Sequence, residues 1–191
     1  MLTRNYYNAL ASFFLNGASN LSSYNGNPTA DDKYRSVKAR EGSVRETASV
    51  GFVSWSNGTS DGQSAIYPDL TDTAPALDDY AMPDFYRSSG GTRFNRISHR
   101  VQIEDYNEDN AEYTVKVEYV ANNNTGVEKT VYGIYVYKYI SSGMEDNSPI
   151  LFAREKFTSP IIVPANANVV LTLTYKVSKA GILIQSANGG V

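Results

Sequence analysis

The clearest pattern in the sequence is a strict alternation of apolar and polar residues near its end. From Val169 to Val177 every second residue is apolar, and threonine and lysine occupy most of the positions between them. Successive side chains of a β-strand point to opposite sides of the sheet, so residues 169–178 are expected to form a strand with one buried face.

Similar patterns predict further strands, most of them separated by residues that favour turns. The predicted strands cover residues 48–55, 97–104, 113–119, 127–140, 150–154, 161–163 and 181–184. Asparagine and glycine at 122–126 tolerate positive φ angles and so predict a hairpin turn. Because no helical period separates these strands, the chain is expected to be all-β: an antiparallel β-sandwich, jelly-roll-like, with a short N-terminal helix and an extended arm.

The first residues carry a helical pattern instead. Aromatic and apolar side chains recur there at helical spacing, and a glycine follows them as a stop signal: Tyr6, Leu10, Phe13, Phe14 and Gly17. The pattern predicts a short amphipathic helix that packs or docks. An apolar run at 9–15 also fits a short secretion signal, which is the alternative that this segment leaves open.

These patterns divide the chain into two regions. Residues 1–46 combine the helix with a polar stretch that predicts an extended arm. Residues 47–191 form the predicted β-sandwich domain. Within that domain, residues 56–96 are rich in proline and aspartate and follow no sustained period, which predicts a long irregular loop.

Composition narrows the chemistry that such a domain can perform. The chain has 191 residues, no cysteine, one histidine and 15 tyrosines, with a formal net charge of −3 at pH 7. The cysteine and histidine counts exclude disulfides, thiolate nucleophiles, cysteine-ligated metals and multi-histidine metal sites. The slight negative charge gives no general attraction for nucleic acid or an anionic membrane. No apolar stretch approaches the roughly 20 residues that span a bilayer, so neither nucleic acid nor a membrane is an expected partner.

His99 is the one side chain that could act as a general base near neutral pH. It alternates in step with Ile97, Val101 and Ile103, so we place it at the edge of the core with its ring nitrogens hydrogen-bonded locally. No Gly-x-Ser-x-Gly motif accompanies it. The sequence therefore does not favour a hydrolytic triad.

Acidic side chains offer two further candidate sites. Aspartates crowd the irregular loop at Asp69, Asp72, Asp78, Asp79 and Asp84. Two carboxylates suffice for glycoside hydrolysis, but turns and caps attract aspartate for their own reasons. Residues 105–110 imitate the start of a calcium loop, yet Lys116 stands where a bidentate glutamate is required. We expect turns and a hairpin tip, with no catalytic residues, metal or cofactor; a carboxylate-based hydrolase is the alternative.

One basic patch lies in the predicted arm. It consists of Lys33, Arg35, Lys38, Arg40 and Arg45, next to Tyr34. Acidic residues interrupt the patch, so counterion release on nucleic acid would be modest. Contact with a neighbouring subunit fits the same residues, with Tyr34 and Arg35 as candidates.

The strand predicted at 127–140 is rich in tyrosine. If Tyr132, Ile134 and the other residues in step with them face the core, a row of phenols lines the opposite face: Tyr135, Tyr137 and Tyr139. Tyrosines supply large, amphipathic contact area in interfaces and glycan-binding faces. The row is expected to be buried, either inside the domain or against another chain, and the sequence leaves both alternatives open.

The order of several short elements resembles that of tailed-bacteriophage virion proteins. The matching elements are Pro-Ala-Leu-Asp-Asp-Tyr at 75–80, Tyr-Gly-Ile-Tyr at 132–135, Ile-Leu-Phe-Ala-Arg-Glu at 150–155, Pro-Ile-Ile-Val at 160–163 and the strand at 169–177. They span roughly the last two-thirds of the chain. The front region 1–46 and the tyrosine-rich strand depart from the pattern of those proteins.

The resemblance implies a β-sandwich subunit of the neck, tail or capsid that docks on other virion structural proteins. It carries no catalytic residues with it. Asp78, Asp79 and Tyr80 in the acidic loop are docking candidates, beside the front helix and the tyrosine row. Such a subunit is expected to be assembled in the host cytoplasm into the virion, as a homo-oligomer in a symmetric ring or lattice.

A second function fits the same tyrosines. A glycan- or receptor-binding module at a fibre or capsid surface would use Trp55 and the tyrosine row as stacking platforms. It requires those rings to be exposed.

Overall fold

The computed structural model describes residues 1–7, 20–24, 34–38, 65–79, 94–140, 148–178 and 181–191. Residues 4–7 form one helical turn. Nine strands lie in the described segments: β1 Asn20–Tyr24, β2 Tyr34–Lys38, β3 Ala65–Asp69, β4 Phe94–Asn107, β5 Glu112–Asn123, β6 Lys129–Ile140, β7 Ser148–Val163, β8 Asn168–Ser178 and β9 Gly181–Gly190.

The strands are arranged in three sheets. β1 and β2 pair with each other as an antiparallel hairpin. The two larger sheets have the strand orders β3-β6-β7 and β4-β5-β8-β9, and both are antiparallel. This arrangement confirms the predicted all-β, sandwich-type fold class, while the jelly-roll connectivity stays a prediction.

The chain divides into two compact units that interleave along the sequence. The first consists of Met1–Ala65, Thr73–Arg87 and Tyr135–Arg154. The second consists of Ile66–Asp72, Ser88–Ile134 and Glu155–Val191. The boundary predicted at residue 46 lies outside the described residues, as does the strand predicted at 48–55.

The core of the second unit follows from the alternating patterns of β5 and β8. Fully or almost fully buried side chains are Val115, Val117, Tyr119 and Ala121 on β5 and Val169, Leu171, Leu173 and Tyr175 on β8. Burial of each large apolar side chain stabilises the fold by about 1.5–3 kcal/mol. Gly189 on β9 lies under Phe157 and Ile161 of β7, whose side chains would come within 3 Å of an added Cβ. The two sheets therefore pack against each other in this unit.

Prolines lie in the edge strands of the three-stranded sheet. Pro68 is in β3, and Pro149 and Pro160 are in β7, whereas the central strand β6 has none. An edge strand tolerates proline because the missing N–H faces away from the ladder. For this reason β7 continues through Pro160, and the strands predicted separately at 150–154 and 161–163 are one strand of 16 residues.

The half-buried face predicted for β4 is wrong at two positions. Ile97 and Ile103 are 56% and 46% exposed. The pairing of β4 with β5 shifts register between Arg96 and Ser98 and again between Ile103 and Asp105. The first bulge falls at Ile97 and interrupts the alternation there, whereas Ile103 stays in step with buried Val115 and is exposed because the layer that covers the core face does not reach it.

Two segments predicted to lack regular structure contain strands. The predicted arm includes β1 and β2, and the loop predicted at 56–96 includes β3. β3 consists of Ala-Ile-Tyr-Pro-Asp, which is too short to show a period and is interrupted by proline. β3 is a strand because it pairs with β6, and the local sequence pattern does not show this pairing.

A buried asparagine ties two turns of the second unit together. The Asn123 side-chain amide donates hydrogen bonds to the carbonyl oxygens of Val127, Val163 and Pro164 at 2.9–3.0 Å. Its oxygen accepts from the hydroxyl of Thr125 at 2.7 Å. The side chain is fully buried. Asn123 thus joins the β5–β6 turn to the end of β7. The sequence predicted a turn at 122–126 but did not predict this link to β7.

Candidate interaction surfaces

The acidic loop of the first unit is held by a buried arginine. Arg154 of β7, 4% exposed, donates from Nη1 to Asp79 Oδ2 at 3.1 Å and from Nη2 to the carbonyl oxygen of Thr73 at 2.8 Å. Its guanidinium also lies 5.8 Å from the ring centroid of Tyr135. A charge this deeply buried requires such partners, so the carboxylate of Asp79 serves the fold.

Asp78 of the same loop pairs with Arg4. The arginine Nε donates to Asp78 Oδ1, and Nη2 donates to Oδ2 at 3.2 Å. This hydrogen bonding lowers the pKa of the Asp78 carboxyl and raises that of the Arg4 guanidinium. Both side chains are exposed, so the fork fixes geometry rather than contributing much stability.

A comparable cluster lies in the second unit. Lys156 Nζ is 3.1 Å from Asp69 Oδ2 and also donates to the carbonyl oxygen of Thr71. Asp69 is fully buried, and its other oxygen accepts from the Thr71 backbone N–H at 2.8 Å. The ammonium group lies 5.2 Å from the ring centroid of Tyr132. Asp69 is therefore a structural carboxylate at the end of β3.

These contacts account for most of the aspartates that suggested a hydrolase. Asp69, Asp78 and Asp79 each pair with a cation of the same chain. Asp72 is exposed, while Tyr80 and Asp84 lie outside the described residues. Carboxylates used in this way hold the 69–79 segment in place. The sequence favours solvated turn and cap carboxylates here, and this expectation is wrong for Asp69, which is fully buried beside Lys156.

The tyrosine row is buried within the chain at Tyr135 and Tyr137. Tyr135 is 1% and Tyr137 is 8% exposed, while Ile134 and Val136 on the other face are fully buried. Of the two alternatives, burial inside the domain applies to these residues, and they are not available to a partner or a glycan. The side chain of Tyr139 lies outside the described residues, as does Trp55.

The front of the chain packs on its own β7. The Tyr6 ring contacts Phe152 edge to face, with centroids 5.9 Å apart, and burial raises the pKa of its phenol. Leu10, Phe13 and Phe14 lie outside the described residues. Tyr34 and Arg35 are in β2, whose side chains also lie outside them. Docking of these five residues on a partner stays a prediction.

His99 lies on the core-facing side of β4, opposite Tyr119. The two rings meet edge to face with centroids 6.3 Å apart. Its Nε2 is buried and finds no hydrogen-bond partner among the described residues, so the predicted local satisfaction of both ring nitrogens is wrong. Burial, with the nearby charge of Arg96, lowers the His99 pKa.

The acidic hairpin tip shows turn contacts. Asp105 accepts from the backbone N–H of Tyr106 at 2.9 Å, and Asn107 accepts from that of Asn110 at 3.2 Å. In the part of the chain that the structure describes, no group of three or more potential ligands is placed to share a metal ion. Nor does any described helix have the length and apolar character that a bilayer crossing needs.

An exposed apolar surface lies beside this tip. We call Ile103, Tyr106 and Tyr113 the hairpin patch. They are 46%, 47% and 39% exposed, and the two tyrosine rings stack with centroids 4.4 Å apart and planes 28° apart. Ile103 pairs with buried Val115, and Tyr106 pairs with Tyr113, so the patch continues the core face of the sheet beyond its buried part.

The opposite face of the same two strands is polar. Arg100, Gln102, Lys116 and Glu118 line a shallow depression of about 150 Å³. Lys116 Nζ lies 3.5 Å from Glu104 Oε1, and both side chains are partly exposed. Alternating charges on a strand face are typical of solvated surfaces. The hairpin patch is therefore the surface of this sheet whose chemistry favours a protein contact.

The sequence patterns did not identify the hairpin patch. Ile103 and Tyr113 occupy core positions of their alternating patterns, and only the three-dimensional extent of the covering layer decides whether such positions are buried. Comparisons with protein-family models, curated proteins and solved structures give no match to this chain.

Proposed function

We propose that this chain is a non-enzymatic structural subunit of a tailed-phage virion that docks on neighbouring subunits of the neck, tail or capsid. The observation that carries the docking role is the hairpin patch. Stacked tyrosines and an isoleucine at the end of a core face present the aromatic and apolar chemistry that protein interfaces use.

The virion assignment is supported by where the elements of the phage resemblance meet. The loop at 75–80, the segment at 132–135 and the segment at 150–155 each contribute to the cluster around Arg154, through Asp79, Tyr135 and Arg154 itself. Two of these elements share the Asp79–Arg154 ion pair, and the third lies against it through the ring of Tyr135. The resemblance thus concerns a connected part of the fold rather than scattered short matches.

Self-association tests the docking role. A triple variant with Ile103→Thr, Tyr106→Thr and Tyr113→Thr should dissociate at least about tenfold more readily than the parent in light-scattering or sedimentation measurements. Threonine preserves strand propensity, so the circular dichroism spectrum should not change. The matched control replaces three exposed apolar residues elsewhere, with Val127→Thr, Ile162→Thr and Leu183→Thr. A parent that is monomeric at tens of micromolar, or equal effects of both variants, would contradict the role of the patch.

The virion assignment has a separate test. Particles of the phage whose genome encodes the chain are purified and analysed by mass spectrometry. The chain should be detected in many copies per particle. Its absence from intact particles, with the chain present in the infected cell, would overturn the assignment.

Glycan binding remains a second candidate because of the stacked pair Tyr106 and Tyr113. Exposed aromatic rings can stack on sugars, whereas the buried Tyr135 and Tyr137 cannot. A glycan array with the parent and the patch variant decides this case: binding that the variant loses would favour it.

A further inference from the structure

The first three residues extend the three-stranded sheet at the edge of β7. Thr3 N–H donates to the carbonyl oxygen of Phe152 at 2.9 Å, and Arg154 N–H donates to that of Met1 at 2.9 Å. The Met1 amino group donates to the carbonyl oxygen of Arg154. Leu2 is therefore bridged in antiparallel fashion to Ala153. This is the hydrogen-bonding mode by which extended peptides add a strand to a sheet edge.

Side chains make this contact selective for the segment. The Thr3 hydroxyl donates to the carbonyl oxygens of Leu151 and Phe152 at 2.7 and 3.2 Å and is almost fully buried. Arg4 forks onto Asp78, and its backbone N–H donates to the carbonyl oxygen of Leu77 at 2.7 Å. In addition to the backbone pairing, the site thus recognises a hydroxyl at the third position and a guanidinium at the fourth through hydrogen bonds.

The segment is related to its site as a peptide ligand is to its receptor. Its partners at 77–78 and 151–154 are more than 70 residues away along the chain, and every contact is non-covalent. The same segment of a second copy carries the same donors and acceptors. It would therefore make identical contacts in the site. When two copies are held close together, proximity raises the effective concentration of the segment at the site of the other copy.

We infer that the β7 edge at 151–154 is an acceptor groove for residues 1–7 of a second copy of this chain. Exchange of the segment between copies links neighbouring subunits without any new chemistry, as in domain-swapped oligomers. Its biological use rests on the proposed assembly role, but the exchange itself can be tested on the isolated protein.

Disulfide trapping gives the test, since the natural chain contains no cysteine. The bonds from Thr3 and Arg154 flank the bridge between Leu2 and Ala153, which makes it a non-hydrogen-bonded pair. Cα atoms of such a pair are about 4.5 Å apart, within the range that a disulfide spans. Full-length chains carrying Leu2→Cys alone and Ala153→Cys alone are mixed, incubated and oxidised. Exchange should shift the product on a non-reducing gel from the 21.0 kDa monomer to a dimer.

Controls separate exchange from chance collision and from loss of the groove. Leu2→Cys mixed with Asn188→Cys, an exposed site on β9, should give no dimer above background. The double variant Leu2→Cys, Ala153→Cys should cross-link in every case, within or between chains. If the double variant cross-links only within one chain and the mixed variants stay monomeric, exchange is disproved; if nothing cross-links, the groove itself is disproved.

A competing peptide provides a second readout. Excess synthetic peptide with the sequence of residues 1–7 should reduce the mixed dimer, and the same peptide with Thr3→Val and Arg4→Gln should compete much less. Equal competition by both peptides would contradict selective recognition. The hairpin-patch variant should still exchange, so failure of exchange and failure of the proposed docking role can be told apart.

Discussion

Gly133 marks a point where two strands approach too closely for any side chain. A Cβ added there would lie 2.1 Å from the carbonyl oxygen of Glu155 and 2.9 Å from the Cα of Lys156. These are backbone atoms, which cannot move aside as a flexible side chain can. Gly133→Ala should therefore reduce the free energy of unfolding by about 3 kcal/mol or more, measured by urea denaturation.

Gly190 gives the matched control for this prediction. It also lies in a strand, but a Cβ there would meet nothing within 4 Å. Gly190→Ala should change the free energy of unfolding by less than about 0.5 kcal/mol. Similar effects of the two substitutions would contradict the close approach of β6 and β7.

His99 should make stability depend on pH in the mildly acidic range. Its folded-state pKa lies below the ordinary value of 6.5, so the unfolded chain binds the proton more readily. Stability is therefore full above about pH 6.5 and declines as the pH falls toward the folded-state pKa. The groups that oppose protonation are its buried surroundings and the positive charge of Arg96.

His99→Phe tests this dependence, because phenylalanine fills the site without titrating. Thermal melts at closely spaced values between about pH 7 and about pH 5 should show a steeper decline for the parent than for the variant. Identical profiles would mean that other groups cause the decline.

At the scale of elements, Asn123 decides how two turns are held. Asn123→Ala removes donors to three carbonyl oxygens and leaves them without this partner in a buried region. We expect a loss of about 2–4 kcal/mol in the free energy of unfolding. Hydrogen exchange should quicken in the 124–128 and 164–167 turns before the rest of the unit. Asn188→Ala on β9, where the side chain is exposed, is the control and should have little effect; uniform quickening would contradict a local clip.

The strands whose pattern predicted them best are those with neighbours on both sides. β5 and β8 lie inside their sheet, and their alternating residues are buried where the period places them from Val115 to Ala121 and from Val169 to Tyr175. β4 departs from its pattern because it is an edge strand with two bulges, features set by pairing rather than by local sequence. β6 is buried on both faces around Tyr135, so its apolar run could not show which face meets the core.

The candidate sites were less predictable, because they depend on contacts between distant residues. The aspartates at 69, 78 and 79 are a sequence feature, but their partners Lys156, Arg4 and Arg154 lie far away in the chain. Only the resemblance to phage virion proteins connected the loop at 75–80 with the segment at 150–155. Nothing local indicated that Asp79 pairs with the buried guanidinium of Arg154.

At the scale of the whole molecule, two contacts of different chemistry are proposed for one assembly. The hairpin patch is apolar and aromatic and lies in the second unit, while the acceptor groove uses backbone hydrogen bonds and lies in the first. A subunit with two distinct contacts can bind two neighbours at once. Weak contacts repeated in this way stabilise rings and lattices that a single contact would not.

The bulges of β4 have a consequence for how such a chain avoids aggregation. They divide the pairing of β4 with β5 into three short ladders, of which Ser98–Ile103 is the longest, and each bulge increases the local twist of the strand. A twisted and bulged edge pairs poorly with a foreign strand, and the charged residues Arg96 and Arg100 lie along this one. The exposed isoleucines of β4 therefore sit on an edge that resists open-ended fibre growth. For the homo-oligomer proposed above, this resistance favours closed assemblies over polymers.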